Sequence, residues 1–134
     1  MKELILDAVL ENIDTVIDFV CTALASCNVN DSIQNELAVA AEEVFVNISN
    51  YAYAPQTGTV RLCIEVTDGQ VRMRFEDSGN PYNPLDRLDP DLTLPVDERP
   101  IGGLGIFMVK NIMDTVQYRY ENSKNQLTLV KVIQ

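Results

Sequence analysis

The most informative stretch of this chain is DSG at residues 77–79, followed by GGLG at residues 102–105. Upstream of both segments, Glu43 and Asn47 lie four residues apart in a stretch with helical periodicity. A carboxylate, two glycine turns and a Glu/Asn pair are the parts needed to hold a nucleotide and its metal ion. Each part is common alone, so the order and the spacing of the segments carry the prediction of an ATP site.

Length and composition fit one small domain. The chain has 134 residues, of which 46% are hydrophobic, and its mean hydropathy is −0.02, so it has enough apolar side chains for a real core. Its formal net charge is −10 and its pI is near 4.2. This acidity argues against a nucleic-acid backbone or an anionic membrane as partner, whereas a protein or a magnesium-bound nucleotide remains open. We expect a single domain over residues 1–134.

Four absences narrow the classes of function. The first residues have no signal-peptide pattern, and no stretch reaches the roughly 20 apolar residues of a membrane span. The three cysteines form no paired motif, which is typical of a reducing cytoplasm. The chain has no histidine, which excludes Ser-His-Asp and Cys-His catalysis and most zinc sites. We expect a cytoplasmic protein.

Hydrophobic periodicity predicts alternating helices and strands. It indicates an edge strand at 2–8, helices at 10–25 and 32–53, strands at 59–66 and 71–75, a helix at 105–114 and strands at 116–120 and 127–133. The sequence TDGQ at residues 67–70 predicts a hairpin, and ENSKN at 121–125 a closing hairpin turn. Five of the six prolines lie between residues 81 and 100. Because so long a loop is unusual in a compact domain, we expect a functional lid over about residues 80–102.

Each of the three segments has a chemical interpretation and an ordinary one. Glu43 and Asn47 share a helix face, where the carboxylate can accept a proton and the amide oxygen can bind Mg²⁺, or both are merely solvated. Asp77 can accept a hydrogen bond from an exocyclic amine such as that of adenine, with Gly79 allowing close approach of a flat ring, or the segment is a plain turn. Residues 102–105 open a helix whose free N–H groups face an anion, or they are a flexible loop. The segments match neither the Walker-A nor the Rossmann pattern.

Together the segments resemble the N box, G1 box and G2 box of the GHKL (Bergerat-fold) ATPases. Within that superfamily, EVFVNISNYAY at 43–53, DSGNPYNP at 77–84 and GGLGIFMVK at 102–110 resemble the anti-sigma-factor serine/threonine kinases of bacterial partner switching. The resemblance covers nearly the whole chain. It implies an α+β fold, a two-layer sandwich with helices on one face of a mixed β-sheet.

The resemblance also implies a role for each matching residue. Glu43 matches the general base and Asn47 the magnesium ligand, while Asp77 matches the adenine-binding carboxylate and Gly79 its neighbouring glycine. Residues of the phosphate loop match at Gly103, Leu104 and Gly105, and Arg99 lies where relatives often carry a lid arginine. The implied cofactors are ATP and Mg²⁺.

The implied partner is a STAS-domain antagonist protein, which is phosphorylated on serine or threonine and competes with a sigma factor for the kinase. A homodimer is also compatible with the family. Two positions depart from the family pattern: Ile48 stands where a small residue is common, and Tyr51 stands where some members have histidine. Neither change removes an essential atom.

Other functions remain open from the sequence. A switch kinase that phosphorylates a STAS scaffold and then activates a phosphatase has the same parts. A protein-binding module whose ATP only orders the lid would not need Glu43, so the presence of that residue disfavours it. A gyrase-like or Hsp90-like ATPase would need a further domain, and a sensor histidine kinase would need a histidine.

Overall fold

The computed structural model describes residues 1–53, 57–86 and 104–133. The elements are β1 (Lys2–Asp7), α1 (Ile13–Ala25), α2 (Asp31–Asn47), β2 (Thr59–Thr67), β3 (Gln70–Asp77), α3 (Leu104–Ile112), β4 (Thr115–Glu121) and β5 (Lys124–Val132). Short 3₁₀ turns cover Leu10–Asn12 and Pro84–Asp86, and a π-helical turn, Ile48–Ala52, continues α2. All of the predicted helices and strands are present, with shifted ends.

The sheet has five strands in the order β1-β2-β3-β5-β4, with β1 at an edge as predicted. Every neighbouring pair is antiparallel, so the expectation of a mixed sheet was wrong. Two hairpins account for the β2–β3 and β4–β5 pairs. Between β1 and β2 the chain forms two antiparallel helices, α1 and α2. The second helix returns the chain to the end of the sheet where β1 ends, and β2 begins there. A single crossover helix would have made these strands parallel.

Both hairpin turns contain two residues with positive φ. Asp68 (φ 53°) and Gly69 (φ 74°) join β2 to β3, as the sequence predicted. Asn122 (φ 56°) and Ser123 (φ 60°) join β4 to β5, so this turn is two residues long instead of the predicted five. As a result β5 begins at Lys124 and includes Asn125, which the sequence analysis had placed in the turn.

The core lies between the helices and one face of the sheet. Asn30 caps the start of α2, because its Oδ1 accepts a hydrogen bond from the Ile33 N–H at 2.9 Å. Alternate residues of the strands point toward the helices, and apolar side chains from both layers are fully buried there: Val20, Leu24, Leu37, Phe45, Leu62, Met73, Phe75 and Leu129. The architecture is the predicted α+β two-layer sandwich. None of the helices in the described part of the chain is long and apolar enough to cross a membrane.

Candidate functional site

Asp77 is the last residue of β3, two residues beyond the predicted end of that strand. Its side chain faces the helices and is only 5% exposed. Asp77 Oδ1 accepts hydrogen bonds from the Gly79 N–H and from Asn125 Nδ2, each at 2.9 Å. Burial raises the pKa of the Asp77 carboxyl above its usual value, and the two hydrogen bonds oppose this rise. No described residue donates to Oδ2, so one carboxylate oxygen remains to accept a hydrogen bond from a ligand.

Asn125 lies directly opposite Asp77 on β5 and is equally buried. Its Nδ2 also donates to the Asn80 carbonyl at 2.9 Å, while its Oδ1 accepts from the Tyr82 N–H at 3.1 Å and from the Tyr118 hydroxyl. The sequence analysis missed this residue. A signal was present, because Asn125 continues the alternating core-facing positions of β5 and is polar where its successors are leucine.

Gly79 packs too closely against the π-helical turn to carry a side chain, and the predicted approach of a flat ring stays a prediction. A Cβ at this position would lie 2.4 Å from the Ala52 carbonyl oxygen and 2.8 Å from the Ala52 Cβ. The Asn80 N–H donates to the same Ala52 carbonyl at 2.9 Å. Close packing of the DSG turn on the π-helical turn therefore excludes a side chain at Gly79, whether or not a flat ring also approaches.

Tyr53 fixes the same turn from its other side. Its hydroxyl oxygen accepts a hydrogen bond from the Ser78 N–H at 2.7 Å and donates to the Thr59 carbonyl at 2.8 Å. Burial is the main cause that raises the pKa of this phenol. The turn after β3 is thus held by the end of α2, by β2 and by β5.

Asn47 and Asp77 line one pocket at this end of the sheet, with Asn125 beside them. The free cavity is about 20 Å³, roughly the room for one water molecule, so a larger ligand enters only if the walls move apart. Its apolar wall includes one residue from each of α2, β3, α3 and β5: Val44, Phe75, Ile106 and Leu127. An apolar slot with one carboxylate at its end suits a flat heterocycle that carries an amino group.

Asn47 is the last α-helical residue of α2, and the backbone continues as the π-helical turn. Such turns occur often at functional sites. The Asn47 amide makes no hydrogen bond with the described residues. Of the two departures from the family pattern, Ile48 is buried beside the pocket, and the Tyr51 ring stacks on Tyr82 with centroids 5.3 Å apart.

Glu43 lies one turn before Asn47 and touches the first turn of α3. A Cβ on Gly105 would stand 2.2 Å from Glu43 Oε2, so the carboxylate lies directly against the Gly105 backbone. Burial, and secondly the charge of Glu42, raise the pKa of the Glu43 carboxyl. The side chain forms no hydrogen bond or ion pair with the described residues. A carboxylate whose pKa is raised, and which has no partner among the described residues, has the basicity and the free lone pairs that a general base would need.

Some predicted site residues are not part of this description. Arg99, Gly103 and most of the predicted lid lie outside the described residues, and Leu104 is described only as the first residue of α3. The described geometry brings together Asn47 and Asp77 in the pocket, and Glu43 and Gly105 at its border.

The protein oxygen atoms near Asn47 suit a magnesium ion that a bound nucleotide, and not the protein, mainly coordinates. Among residues 1–53, 57–86 and 104–133, no group of three or more Cys, Asp and Glu side chains is arranged to hold a metal ion. Mg²⁺ often takes one or two protein oxygens and completes its coordination with phosphates and water. The unpartnered Asn47 amide oxygen matches that requirement.

Curated proteins with similar sequences include protein kinases. The chain is 29% identical to the serine/threonine-protein kinase BtrW of Bordetella bronchiseptica over 94 residues, which cover 69% of this chain and 66% of BtrW. It is 24% identical to the serine-protein kinase RsbW of Bacillus cereus over 103 residues, which cover 74% of this chain and 64% of RsbW. The chain therefore spans slightly less than two thirds of these relatives.

Solved structures share the fold. The RsbU and RsbW domains of Rv1364c from Mycobacterium tuberculosis match with a TM-score of 0.64 and 18% identity, over 98% of this chain and 32% of that one. The histidine kinase AdeS of Acinetobacter baumannii matches with a TM-score of 0.54 and 18% identity, over all of this chain and 68% of that one.

A family model described as the histidine kinase-like ATPase domain matches residues 6–131. Because this match spans nearly the whole chain, the protein belongs to the histidine kinase-like ATPase domain family.

Proposed function

We propose that this chain is an ATP-dependent serine/threonine protein kinase that acts as an anti-sigma factor in a bacterial partner-switching system. One observation carries the proposal: two segments that are distant in sequence, α2 and the end of β3, bring Asn47 and Asp77 to one pocket, and Glu43 lies one helical turn away against Gly105 of α3. The names of the relatives BtrW and RsbW support the reaction class.

The adenine base is proposed to enter the apolar pocket with its amino group toward Asp77 Oδ2. Asn47 contributes the protein ligand to Mg²⁺, which neutralises phosphate charge when bound. The start of α3, with Leu104 and Gly105, faces the phosphates with free N–H groups and the positive end of the helix dipole. Gly103 and Arg99 belong to the same phosphate-binding role by family resemblance, and about residues 80–102 form the lid.

Glu43 is proposed to accept the proton from the attacking hydroxyl. The substrate oxygen then forms a bond to the γ-phosphorus while the bond to the β–γ bridging oxygen breaks, and ADP leaves. The raised pKa of Glu43 makes its carboxylate a stronger base than an ordinary glutamate, which favours proton transfer from the hydroxyl. The substrate is proposed to be a serine or threonine of a STAS-domain antagonist, whose unphosphorylated form competes with a sigma factor. A cytoplasmic location follows from these partners.

The test has two stages with the purified chain. Calorimetric titration with ATP, with and without Mg²⁺, is expected to show binding that magnesium strengthens. Incubation with γ-labelled ATP and STAS-domain proteins from the same genome is expected to label one of them on serine or threonine. Binding without transfer to any of these proteins would support a nucleotide-dependent binding module instead, and the absence of ATP binding would overturn the proposal.

A further inference from the structure

Asn125 joins three separate parts of the site through a single buried amide. It bonds the end of β3 at Asp77, the backbone of the following segment at Asn80 and Tyr82, and β4 at Tyr118. An asparagine side chain has two N–H donors and an oxygen with two lone pairs. All four capacities are used here, so the amide is locked in one orientation.

We propose that Asn125 is a positioning residue for base selection, which holds the Asp77 carboxylate in one orientation and binds the Asn80–Tyr82 backbone to it. The inference rests on the proposed ATP site and names a residue that acts on the ligand through Asp77. Asn125 itself is not assigned to any step of phosphoryl transfer.

The orientation of the Asp77 carboxylate depends on its hydrogen-bond donors. Rotation of an aspartate carboxyl about its last bond is broad and roughly two-fold, so either oxygen can face a ligand. Asn125 Nδ2 and the Gly79 N–H both bond Oδ1, which leaves Oδ2 toward the pocket. A fixed acceptor favours a base with an amino group there and disfavours a base with a carbonyl oxygen, because two acceptors repel.

The second step concerns the pocket wall. Tyr82 and Pro84 line the pocket and follow directly after the backbone groups that Asn125 holds. The Tyr82 ring also stacks on Tyr51, which belongs to the π-helical turn after α2. Asn125 therefore fixes both the acceptor for the base and the chain segment beside the base, and its loss would loosen the two together.

The experiment compares ATP with inosine triphosphate, which has a carbonyl oxygen where adenine has its amino group. The variant is Asn125→Asp, which keeps size and acceptor atoms and removes both amide N–H donors; because two adjacent buried carboxyl groups share one proton, Asp77 then has no fixed acceptor atom. Calorimetry is expected to show that the wild type prefers ATP by roughly tenfold or more, the value of about one good hydrogen bond. In Asn125→Asp the ratio of the two dissociation constants is expected to fall to within about threefold of one.

Gln126→Glu is the matched control, because it makes the same amide-to-acid change one residue further on, on the opposite face of β5. It is expected to keep the ATP preference of the wild type. If Asn125 has a purely structural role, Asn125→Asp weakens the binding of both nucleotides equally and leaves the ratio of their dissociation constants unchanged. That result would overturn the inference.

A second variant covers the case in which Asn125→Asp does not fold. Tyr118→Phe removes one donor to Asn125 Oδ1 and leaves the bond to Asp77 possible, so the preference is expected to fall partway. An unchanged ratio in folded Tyr118→Phe would count against the inference. If the wild type binds both nucleotides equally well, the inference about base selection is refuted and the proposed function is not. If the wild type does not bind ATP, the proposed function is refuted, and this inference with it.

Discussion

Glu76 and Asp77 are neighbours on β3, both are buried, and their carboxylates are held by different kinds of partner. Glu76 faces the outer side of the sheet, where its Oε1 lies 2.7 Å from Arg61 Nη1 and 3.4 Å from Arg74 Nη2. Asp77 faces the pocket, where only an amide and a backbone N–H bond it and no described cation forms an ion pair with it. One strand thus carries a neutralised carboxylate and an uncompensated carboxylate in consecutive positions.

The same contrast extends to a second pair. On the outer face, Glu3 Oε2 lies 2.6 Å from Arg61 Nη2. Beside the pocket, Glu43 contacts the Gly105 backbone and has no cationic partner in the described part of the chain. A carboxylate paired with arginine has its lone pairs satisfied and contributes to stability, whereas one held by neutral groups costs stability and keeps acceptor capacity for a ligand or a proton. A carboxylate that lowers stability in this way is therefore a candidate for a functional role.

The largest expected effect concerns Glu43, the acid at the border of the pocket that we propose as the general base. Glu43→Gln keeps size and polarity but removes the basic lone pairs, so the rate of phosphoryl transfer is expected to fall by about 10²-fold or more, with ATP affinity nearly unchanged. Single-turnover transfer from labelled ATP to the STAS-domain substrate measures the rate, and calorimetry measures the affinity.

Glu42→Gln is the control for this change, because Glu42 lies next to Glu43 and contributes only a charge to its pKa. Its transfer rate is expected to stay within a few-fold of the wild type. Equal rates for Glu43→Gln and the wild type would remove Glu43 from the role of base.

The next largest effect concerns the direct comparison of the two neighbours. Asp77→Asn is expected to weaken ATP binding by about 10- to 100-fold, since it exchanges a charged acceptor for a neutral amide at the amino group of the base. Glu76→Gln is expected to leave ATP affinity within about twofold and to lower the free energy of unfolding, because Arg74 loses its acidic partner and Arg61 keeps only Glu3 among the described residues.

Calorimetry and urea unfolding of both variants provide the two measurements. The contrast between the neighbours fails if Asp77→Asn keeps wild-type affinity, or if Glu76→Gln loses as much affinity as Asp77→Asn does.

The smallest expected effect is a pH dependence of stability. Burial raises the pKa of Asp77 in the folded state above its ordinary value of 3.8, so between the ordinary and the raised pKa the folded state binds more protons than the unfolded state. The stability contribution of this group is present below pH 3.8 and is lost as the pH rises through the folded pKa. Because asparagine does not ionise, Asp77→Asn does not lose stability in this way. The free energy of unfolding of Asp77→Asn minus that of the wild type is therefore expected to be greater at pH 7 than at pH 4.

Urea unfolding of the two proteins across this pH range gives the difference directly. Glu43 has a raised pKa in both proteins, so its contribution cancels in the difference. A difference that shrinks as the pH rises would show that Asp77 is stabilised in its charged form and would end the contrast with Glu76.

Local pattern was enough to predict the elements and part of the site. Helical spacing placed Glu43 and Asn47 on one face of α2, and the glycine turn after a strand placed Asp77 at the end of β3. The hairpin at Asp68 and Gly69 followed from its turn residues. These features depend on residues close in sequence, where periodicity and turn chemistry act.

The rest depends on contacts between distant residues. Asn125 is 48 residues from Asp77 in sequence and meets it only through the β3–β5 register. The need for glycine at position 79 comes from Ala52 on the other layer, and the antiparallel arrangement comes from the path of two helices. Pairing and packing of this kind have no local signature, although the polar Asn125 at a core-facing position is a partial one.

The distribution of aromatic side chains around the site has a practical consequence for spectroscopy. The chain has no tryptophan and five tyrosines, so its intrinsic ultraviolet emission comes from tyrosine alone. Tyr51 and Tyr82 stack beside the pocket, Tyr53 bonds the DSG turn, and Tyr118 bonds Asn125. Four of the five natural fluorophores therefore border the candidate nucleotide site, and a ligand that enters it would change the emission of the unlabelled protein.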